Sequence, residues 1–290
     1  MNKEEKLAVR RMQRYLKGQT KGDITLGALS EVSCYSPWHS FRLFKEALGI
    51  TPAAYLRRLR LSESALLLRD EKRSILDVAL RYGYRSVDGY QRSFKKEFGI
   101  NPRAYAKNPT PLPLFIPYDV EIPEERKPIR ETKNIFISLI EKSERLLLYK
   151  PGSEGQDDYW EYASAVGCDL WGILVSLKSL GEPVCLYLPK SLQIKGESSY
   201  VQGVEEPLDY SGSLPTGFKK RILPPALFLH FQGEPFKEEE YQEAIVSLKK
   251  AIDAYDPKPL GYRKKSAGLR IPLEPRGERG YLELIEVERL

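Results

Sequence analysis

Apolar residues in the first hundred positions recur at helical spacing, in short runs separated by capping and turn signals. Leu7, Met12, Tyr15 and Leu16 mark one face of a helix that ends before Thr20. In LGALSEVS, residues Leu26, Leu29 and Val32 share a face. Ser36 then suits an N-cap with Pro37 at the first helical position, and the next helix runs to about Leu48, where Gly49 supplies the stop. The same sentence is written again further on. ILDVALRY is followed by a turn around Gly83, and Ser86 caps a helix that ends at Gly99. Between the two, Thr51 and Pro52 open a long amphipathic helix whose Leu56, Leu59, Ala65, Leu66 and Leu67 can tie the units together.

After Arg130 the pattern changes to short runs rich in apolar and branched residues: IFISLI, RLLLY, PVCLYL, ALFLHF, LRIPL and YLELIEV. These predict strands. Two helices stand among them, one over DYWEYASAVGCDLWGILVSLKSL and one over EEEYQEAIVSLKKAIDAY. Strand–helix–strand–strand recurs loosely, which predicts an α+β domain with an antiparallel sheet built from two similar halves. Such a sheet leaves one face, or the seam between the halves, open as a groove. Between the two patterns, residues 107–130 hold six prolines, which block helix and central strand alike and predict an extended linker or wrapping segment. The expected fold is thus an all-α double helix-turn-helix domain over 1–106, a proline-rich linker over 107–130 and the α+β domain over 131–290.

The helical half is an internal repeat. RLFKEALGITPAAY at 42–55 and RSFKKEFGINPRAY at 92–105 share Arg42/Arg92, Phe44/Phe94, Lys45/Lys95, Gly49/Gly99, Ile50/Ile100, Pro52/Pro102, Ala54/Ala104 and Tyr55/Tyr105 at a constant offset of fifty. Upstream the offset is forty-nine, pairing Leu26 with Ile75 and Tyr35 with Tyr84, so the one-residue difference falls at the turn.

Charge sharpens the contrast between the halves. The chain carries a net +6, yet residues 1–110 hold 22 Lys/Arg against 11 Asp/Glu, and the remainder 24 against 29. A basic half joined to an acidic half points to a polyanion as the partner of one half only. No apolar run approaches the roughly 18 residues of a membrane span, and the charged N-terminus lacks a secretory apolar stretch. Cys34, Cys168 and Cys185 are odd in number and widely spaced, which fits a reducing, cytoplasmic setting better than a disulfide framework.

In each unit the second helix is the recognition helix by position. Ser36, Trp38, Ser40, Phe41, Arg42 and Lys45 are the DNA-binding candidates of the first, and Ser86, Gln91, Arg92 and Lys95 those of the second. Arg42 and Arg92 suit bidentate contact to guanine, phosphate contact alone, or a bridge to the connecting helix. Phe44 and Phe94 fall on the opposite face and should be core. Recognition helices in consecutive major grooves lie roughly 34 Å apart. A connecting helix of about 18 residues spans ~27 Å at ~1.5 Å per residue, so one chain can occupy two grooves of double-stranded DNA.

With these residues the N-terminal half resembles the DNA-binding domain of AraC/XylS-type regulators, through YSPWHSFRLFKEALGITPAAYLRRLRL and ILDVALRYGYRSVDGYQRSFKKEFGINPRAY. The resemblance implies promoter binding and, usually, activation through RNA polymerase. It also implies stricter base reading by the first recognition helix, with Trp38, Phe41 and Arg42 at its base-contacting positions. Val87, Asp88 and Gly89 offer no obvious donor in the second, which points to looser readout there.

The C-terminal half shows no P-loop, nucleophile elbow or dinucleotide fingerprint, and its His230 has no metal-ligand partner at useful spacing; no catalytic residue, metal or cofactor is expected. What it offers is aromatic residues beside carboxylates. Trp160, Tyr162 and Trp171 fall on or near the first helix, and Glu283 and Glu286 interrupt the terminal strand. A carboxylate among aromatic faces matches a lipophilic cation, although aromatics also simply fill cores. This half resembles the GyrI-like effector-binding domain, through YWEYASAVGCDLWGIL, SSYVQGVEEPLDYSGSLPTGF, LHFQGEPF and RGYLELIEV. That resemblance implies a small-molecule effector, with Glu283 as the pocket glutamate and Trp160, Tyr162 and Trp171 as its walls. It leaves open an alternative as a hydrolase of reactive small molecules, or as a protein inhibitor without a ligand. Glu286 departs from the family, adding a charge at the pocket rim or only a solvated strand end.

Overall fold

A computed structural model describes residues 1–19, 21–22, 24–122, 134–167 and 169–290. The chain divides into two compact units, one comprising Met1–Arg126 with Trp171–Ser176, the other Lys127–Leu170 with Leu177–Leu290. No helix among the described residues is long and apolar enough to cross a membrane.

The first unit holds α1 (Lys3–Lys17), α2 (Leu26–Ser33), α3 (Pro37–Leu48), α4 (Pro52–Asp70), α5 (Ile75–Arg81), α6 (Val87–Phe98) and α7 (Pro102–Lys107). Six of these seven starts follow from a cap, the side chains of Asn2, Thr25, Thr51, Ser74, Ser86 and Asn101 accepting backbone N–H bonds in the first turns of their helices, while α3 begins at Pro37. α3 and α6 both stop at a left-handed glycine, Gly49 at φ 70° and Gly99 at φ 74°.

The long helix α4 has 19 residues and is shared by two cores. Its first half gives Tyr55 and Leu59 to a cluster with Val9, Met12, Leu16, Leu29, Leu43 and Phe44. Its second half gives Leu61, Ala65 and Leu68 to a cluster with Val78, Ala79, Tyr90, Phe94 and Tyr105. Phe44 and Phe94 are fully buried, as their place in the repeat predicts.

Residues 109–122 of the proline-rich stretch have no regular secondary structure and lie along the helical unit. Leu112 and Leu114 are buried in its second core. The backbone here finds side-chain partners instead of a ladder: Leu112 N–H donates to Ser176 Oγ at 2.9 Å, Phe115 N–H to Ser62 Oγ at 2.8 Å, and Val120 N–H to Gln13 Oε1 at 3.0 Å. Positions 123–130, the expected boundary at 131, and Cys168 lie outside the described residues.

The second unit is built from β1 (Phe136–Lys142), β2 (Arg145–Lys150), α8 (Tyr159–Val166), α9 (Asp169–Ser176, of which Trp171–Ser176 belongs to the helical unit), β3 (Val184–Tyr187), β4 (Tyr200–Glu206), β5 (Lys219–Leu223), β6 (Ala226–Gln232), α10 (Tyr241–Ala254), β7 (Tyr262–Lys264), β8 (Arg270–Pro272) and β9 (Leu282–Arg289). Among the described residues the strands form one antiparallel sheet of order β1-β6-β9-β8-β3-β4-β2-β5, with β7 against β9.

The helix expected over DYWEYASAVGCDLWGILVSLKSL is two helices, because the chain leaves helical geometry at Gly167, φ 92°. The strands β4, β5 and β7 did not emerge from the apolar pattern. β4 carries Gln202, Gly203, Glu205 and Glu206 yet is buried along its whole length, and β5 is mostly charged and exposed. One face of the sheet carries a core of Leu147, Val184, Leu186, Val201, Phe228, Ile271 and Leu284. Against the other, α10 packs Leu248 and Ile252 on Leu229, Phe231 and Val287.

Candidate nucleic-acid interface and the sheet seam

In the first helix-turn-helix, the chain turns at Cys34, which holds φ 64°, in the left-handed region that glycine favours. The repeat partner at offset forty-nine is Gly83, at φ 78°. The hydroxyls of the first turn lock it: Ser30 Oγ donates to Tyr35 O at 2.6 Å, Ser33 Oγ and Ser40 Oγ lie 2.6 Å apart, and Ser40 Oγ donates to Ser36 O at 2.9 Å.

Ser40, expected on the DNA side, is therefore corrected: it is fully buried and serves the turn. A small hydroxyl suits a buried site as well as a solvated one where backbone acceptors are within reach. Trp38 is 75% exposed, Arg42 and Lys45 are exposed, and Phe41 is half-buried. Ser36 stands at the N-cap of α3 without a side-chain capping bond among the described residues. Ser86 Oγ, in contrast, accepts from Gly89 N–H at 3.1 Å. Arg92 and Lys95 are exposed on α6 and Gln91 is half-buried, with Asp88 exposed in the first turn.

Arg42 is held rather than free. Its Nη2 lies 2.8 Å from His39 Nδ1, and its Nε lies 3.9 Å from Glu46 Oε1, one helical turn on. An arginine has no acceptor, so it donates to Nδ1, and the proton of neutral His39 sits on Nε2. The His39 ring packs on Tyr35 at 4.8 Å between centroids. In sequence the brace is visible only as the i, i+3 spacing of His39 and Arg42.

The sheet unit brings Tyr162, Tyr200, Tyr187, Arg270 and Glu283 into one chain of contacts. Register pairs Cys185 with Gln202, Tyr187 with Tyr200, Tyr187 with Arg270, and Pro272 with Glu283, so these side chains share a face. Tyr162 on α8 packs edge-on against Tyr200 at 5.2 Å, and Tyr200 against Tyr187 at 5.1 Å. Tyr162 donates its hydroxyl to Lys150 O at 2.6 Å. Burial raises the hydroxyl pKa of Tyr162, Tyr200 and Tyr281 and pushes the Cys185 thiol up to about 12.

Glu283 is wholly inaccessible, and its carboxylate is already paired. Arg270 Nε donates to Oε1, and Tyr281 Oη donates to Oε2 at 3.1 Å. The sequence held the signal: in the alternating strand LRIPL, Arg270 is the one charged residue, two strand positions from the partner of Glu283. Trp160 is 61% exposed and meets Tyr159 edge-on at 5.1 Å, which in turn meets Tyr200 at 6.5 Å. Trp171 does not join the group and falls in the helical unit. Glu286 is neither a pocket rim nor a solvated end: it is buried, paired with Lys265 at 2.6 Å, and accepts from Leu269 N–H. His230 Nδ1 lies 3.3 Å from Ser138 Oγ, and burial lowers its pKa. No group of His, Cys, Asp and Glu among the described residues is arranged to hold a metal ion.

A family model described as a helix-turn-helix domain matches residues 29–108, from within α2 to the end of α7. Over 94 residues the chain is 38% identical to the transcriptional regulator Rob of Salmonella typhimurium, covering 32% of this chain and 32% of that protein. The multiple antibiotic resistance protein MarA of the same organism is 33% identical over 91 residues, 31% of this chain and 72% of that protein. Among solved structures, an AraC-type transcriptional regulator of Chromobacterium violaceum is 24% identical over 36% of this chain and 95% of that chain, with a TM-score of 0.33. The match thus spans about a third of the length of Rob and most of the length of MarA. With its helix-turn-helix pair formed and these relatives sharing its sequence, the chain belongs to the AraC-type family of DNA-binding transcription regulators.

Proposed function

We propose that the chain is a ligand-responsive transcription regulator that grips two adjacent major grooves of double-stranded DNA with α3 and α6. The first is the sequence reader, through Trp38, Phe41 and Arg42. The second, with Ser86, Gln91, Arg92 and Lys95 around Asp88, is an anchor with looser readout. The observation that carries this reading is that Arg42 is positioned by His39 and Glu46 on a helix that also presents Trp38, a large aromatic residue 75% exposed. A pre-oriented guanidinium loses less freedom on meeting a guanine edge. Activation through RNA polymerase is what the family implies for the promoter-bound protein.

The C-terminal residues 131–290 are, in this reading, a GyrI-like effector domain of two similar halves. The sheet order supports it, since β2-β4-β3 and β6-β9-β8 run inward to a shared β3/β8 seam. The effector seats over the tyrosines and the Arg270–Glu283 pair at that seam. Because Glu283 already has a cation, a cationic effector must displace Arg270, whereas a ligand with an anionic or hydrogen-bonding group meets Arg270 directly.

Two experiments test the proposal. Selection of DNA from a random pool by the full chain should return a sequence whose preference narrows on the α3 side and collapses in Arg42→Ala. Thermal shift against lipophilic cations and lipophilic carboxylates, with Arg270→Met and Glu283→Gln, tests the effector. Stabilisation untouched by both substitutions would move the site away from the seam.

A further inference from the structure

We propose that a groove at the junction of the two helix-turn-helix units seats the DNA backbone that crosses between the two recognition helices. The proposal rests on the two-groove reading and adds to it a contact that neither recognition helix makes. The groove has a volume of about 520 Å³ and is walled by Leu56, Arg57 and Arg60 of α4, by Gly22 before α2, and by Gly83 and Arg85 of the turn before α6.

The junction is built, not incidental. Gly83 holds φ +78°, and a Cβ there would stand 3.2 Å from Gly22 N and 3.4 Å from Arg60 Nη1. A side chain there would combine a positive φ with a tight approach to the loop before α2, which glycine avoids. Arg60 fastens that loop to α4, donating from Nε to Gln19 O at 3.2 Å and from Nη2 to Gly22 O at 2.6 Å. The two units are thereby joined directly, as well as through the shared helix.

The chemistry of the groove is that of a phosphate seat. Three arginines line it, Arg57 and Arg85 exposed and Arg60 half-buried and already tied to the loop before α2. Arg85 directly precedes Ser86, the cap of α6, and Ile24 on the same groove directly precedes Thr25, the cap of α2. The groove therefore lies beside the starts of α2 and of the recognition helix α6. Arginine forks match phosphate oxygens bidentately, and phosphate contacts fix register without reading bases. In the two-groove reading, the strand that crosses between α3 and α6 runs past this junction. A phosphate held there makes the spacing of the two base-reading sites part of what the protein recognises.

The test uses the full chain with Arg57→Gln, Arg85→Gln and their combination, on a duplex the protein selects from a random pool and on a random duplex. Each single variant should weaken binding roughly three- to tenfold on both duplexes, and lower the slope of log affinity against log salt by about 0.9 per lost phosphate contact. Ethylation of the phosphates midway between the two major-groove sites should impair the parent protein and leave the double variant indifferent. Arg57→Lys, which keeps the charge, should keep most of the slope. Unchanged slope and unchanged ethylation interference in a folded double variant would overturn the seat, as would a loss confined to the selected duplex. Such a result leaves the Arg42 reading standing, because that reading is judged by base preference and not by salt dependence.

Discussion

Arg270 and Glu283 form an ion pair across β8 and β9 in which the carboxylate has no exposed surface and the guanidinium is about one-third exposed. Arg270→Met strands a charge in the interior and should destabilise the sheet unit by about 3–5 kcal/mol. The double variant Arg270→Met/Glu283→Leu should recover most of that loss, since it removes the desolvated charge together with its partner. Guanidinium unfolding followed by near-ultraviolet circular dichroism, which reports the buried tyrosines, reads both. Equal losses in single and double variants would contradict the pairing.

Glu206 presents the opposite case, a carboxyl only 2% exposed whose Oε1 has no hydrogen-bond partner among the described residues. Burial pushes its pKa up to about 7. A raised acid pKa means the folded state holds a proton that the unfolded chain gives up. Stability is therefore highest below the ordinary carboxyl pKa and declines as pH rises from about 4.5 to 7, at up to ~1.4 kcal/mol per pH unit. Glu206→Gln should flatten that slope and raise the melting temperature at pH 8, with little effect at pH 4.5. A variant no more stable than the parent at pH 8 would show that the carboxyl is solvated after all.

Cys34 and Gly83 occupy the same turn position of the repeat, both at positive φ. The cysteine bears the Cβ cost of the left-handed conformation, so Cys34→Gly should be neutral to stabilising by up to about 1 kcal/mol. Gly83→Ala meets both the φ and the Gly22 backbone at 3.2 Å, and should cost more than about 1 kcal/mol. Thermal melts of the two variants should move in opposite directions.

Ser40 and Arg42 sit two residues apart on α3 and should fail differently. Ser40→Ala removes bonds to Ser33 and Ser36 and should lower stability by about 1 kcal/mol while leaving base preference unchanged. Arg42→Ala should leave stability near the parent value and weaken binding to the selected sequence by about 1–3 kcal/mol. Binding competition on matched and mismatched duplexes, alongside melting, separates the two. A Ser40→Ala protein with altered base preference would return Ser40 to the interface.

His39 provides a further check on Arg42. Its Nδ1 accepts from Arg42 Nη2 at 2.8 Å, so the ring braces the guanidinium. His39→Ala removes that acceptor and should weaken selectivity for the Arg42-dependent bases by about 0.5–1.5 kcal/mol. Equal selectivity in parent and variant, read by competition on matched and mismatched duplexes, would show that the brace is idle on DNA.

The helical unit was legible in the sequence because its determinants are local. The caps at Thr51 and Ser86 and the left-handed stops at Gly49 and Gly99, repeated at an offset of about fifty, each act within a few residues of chain. Phe44 and Phe94 could be placed in the core from helical period alone. The sheet unit was legible only in its apolar strands. β4, polar in composition and buried throughout, owes its burial to β3 and β2 on either side, which no window of sequence contains. The same holds for the sites. Sequence singled out Glu283 and Arg42, since unusual residue types at patterned positions are visible one chain segment at a time. That Glu283 is already neutralised by Arg270, that Arg42 leans on His39, and that Arg57 and Arg85 share a groove were decided by which elements the fold lays side by side. Short-range backbone preferences are written in the sequence directly; the pairing of charges across strands and turns depends on register and close approach, and exists only once the chain has folded.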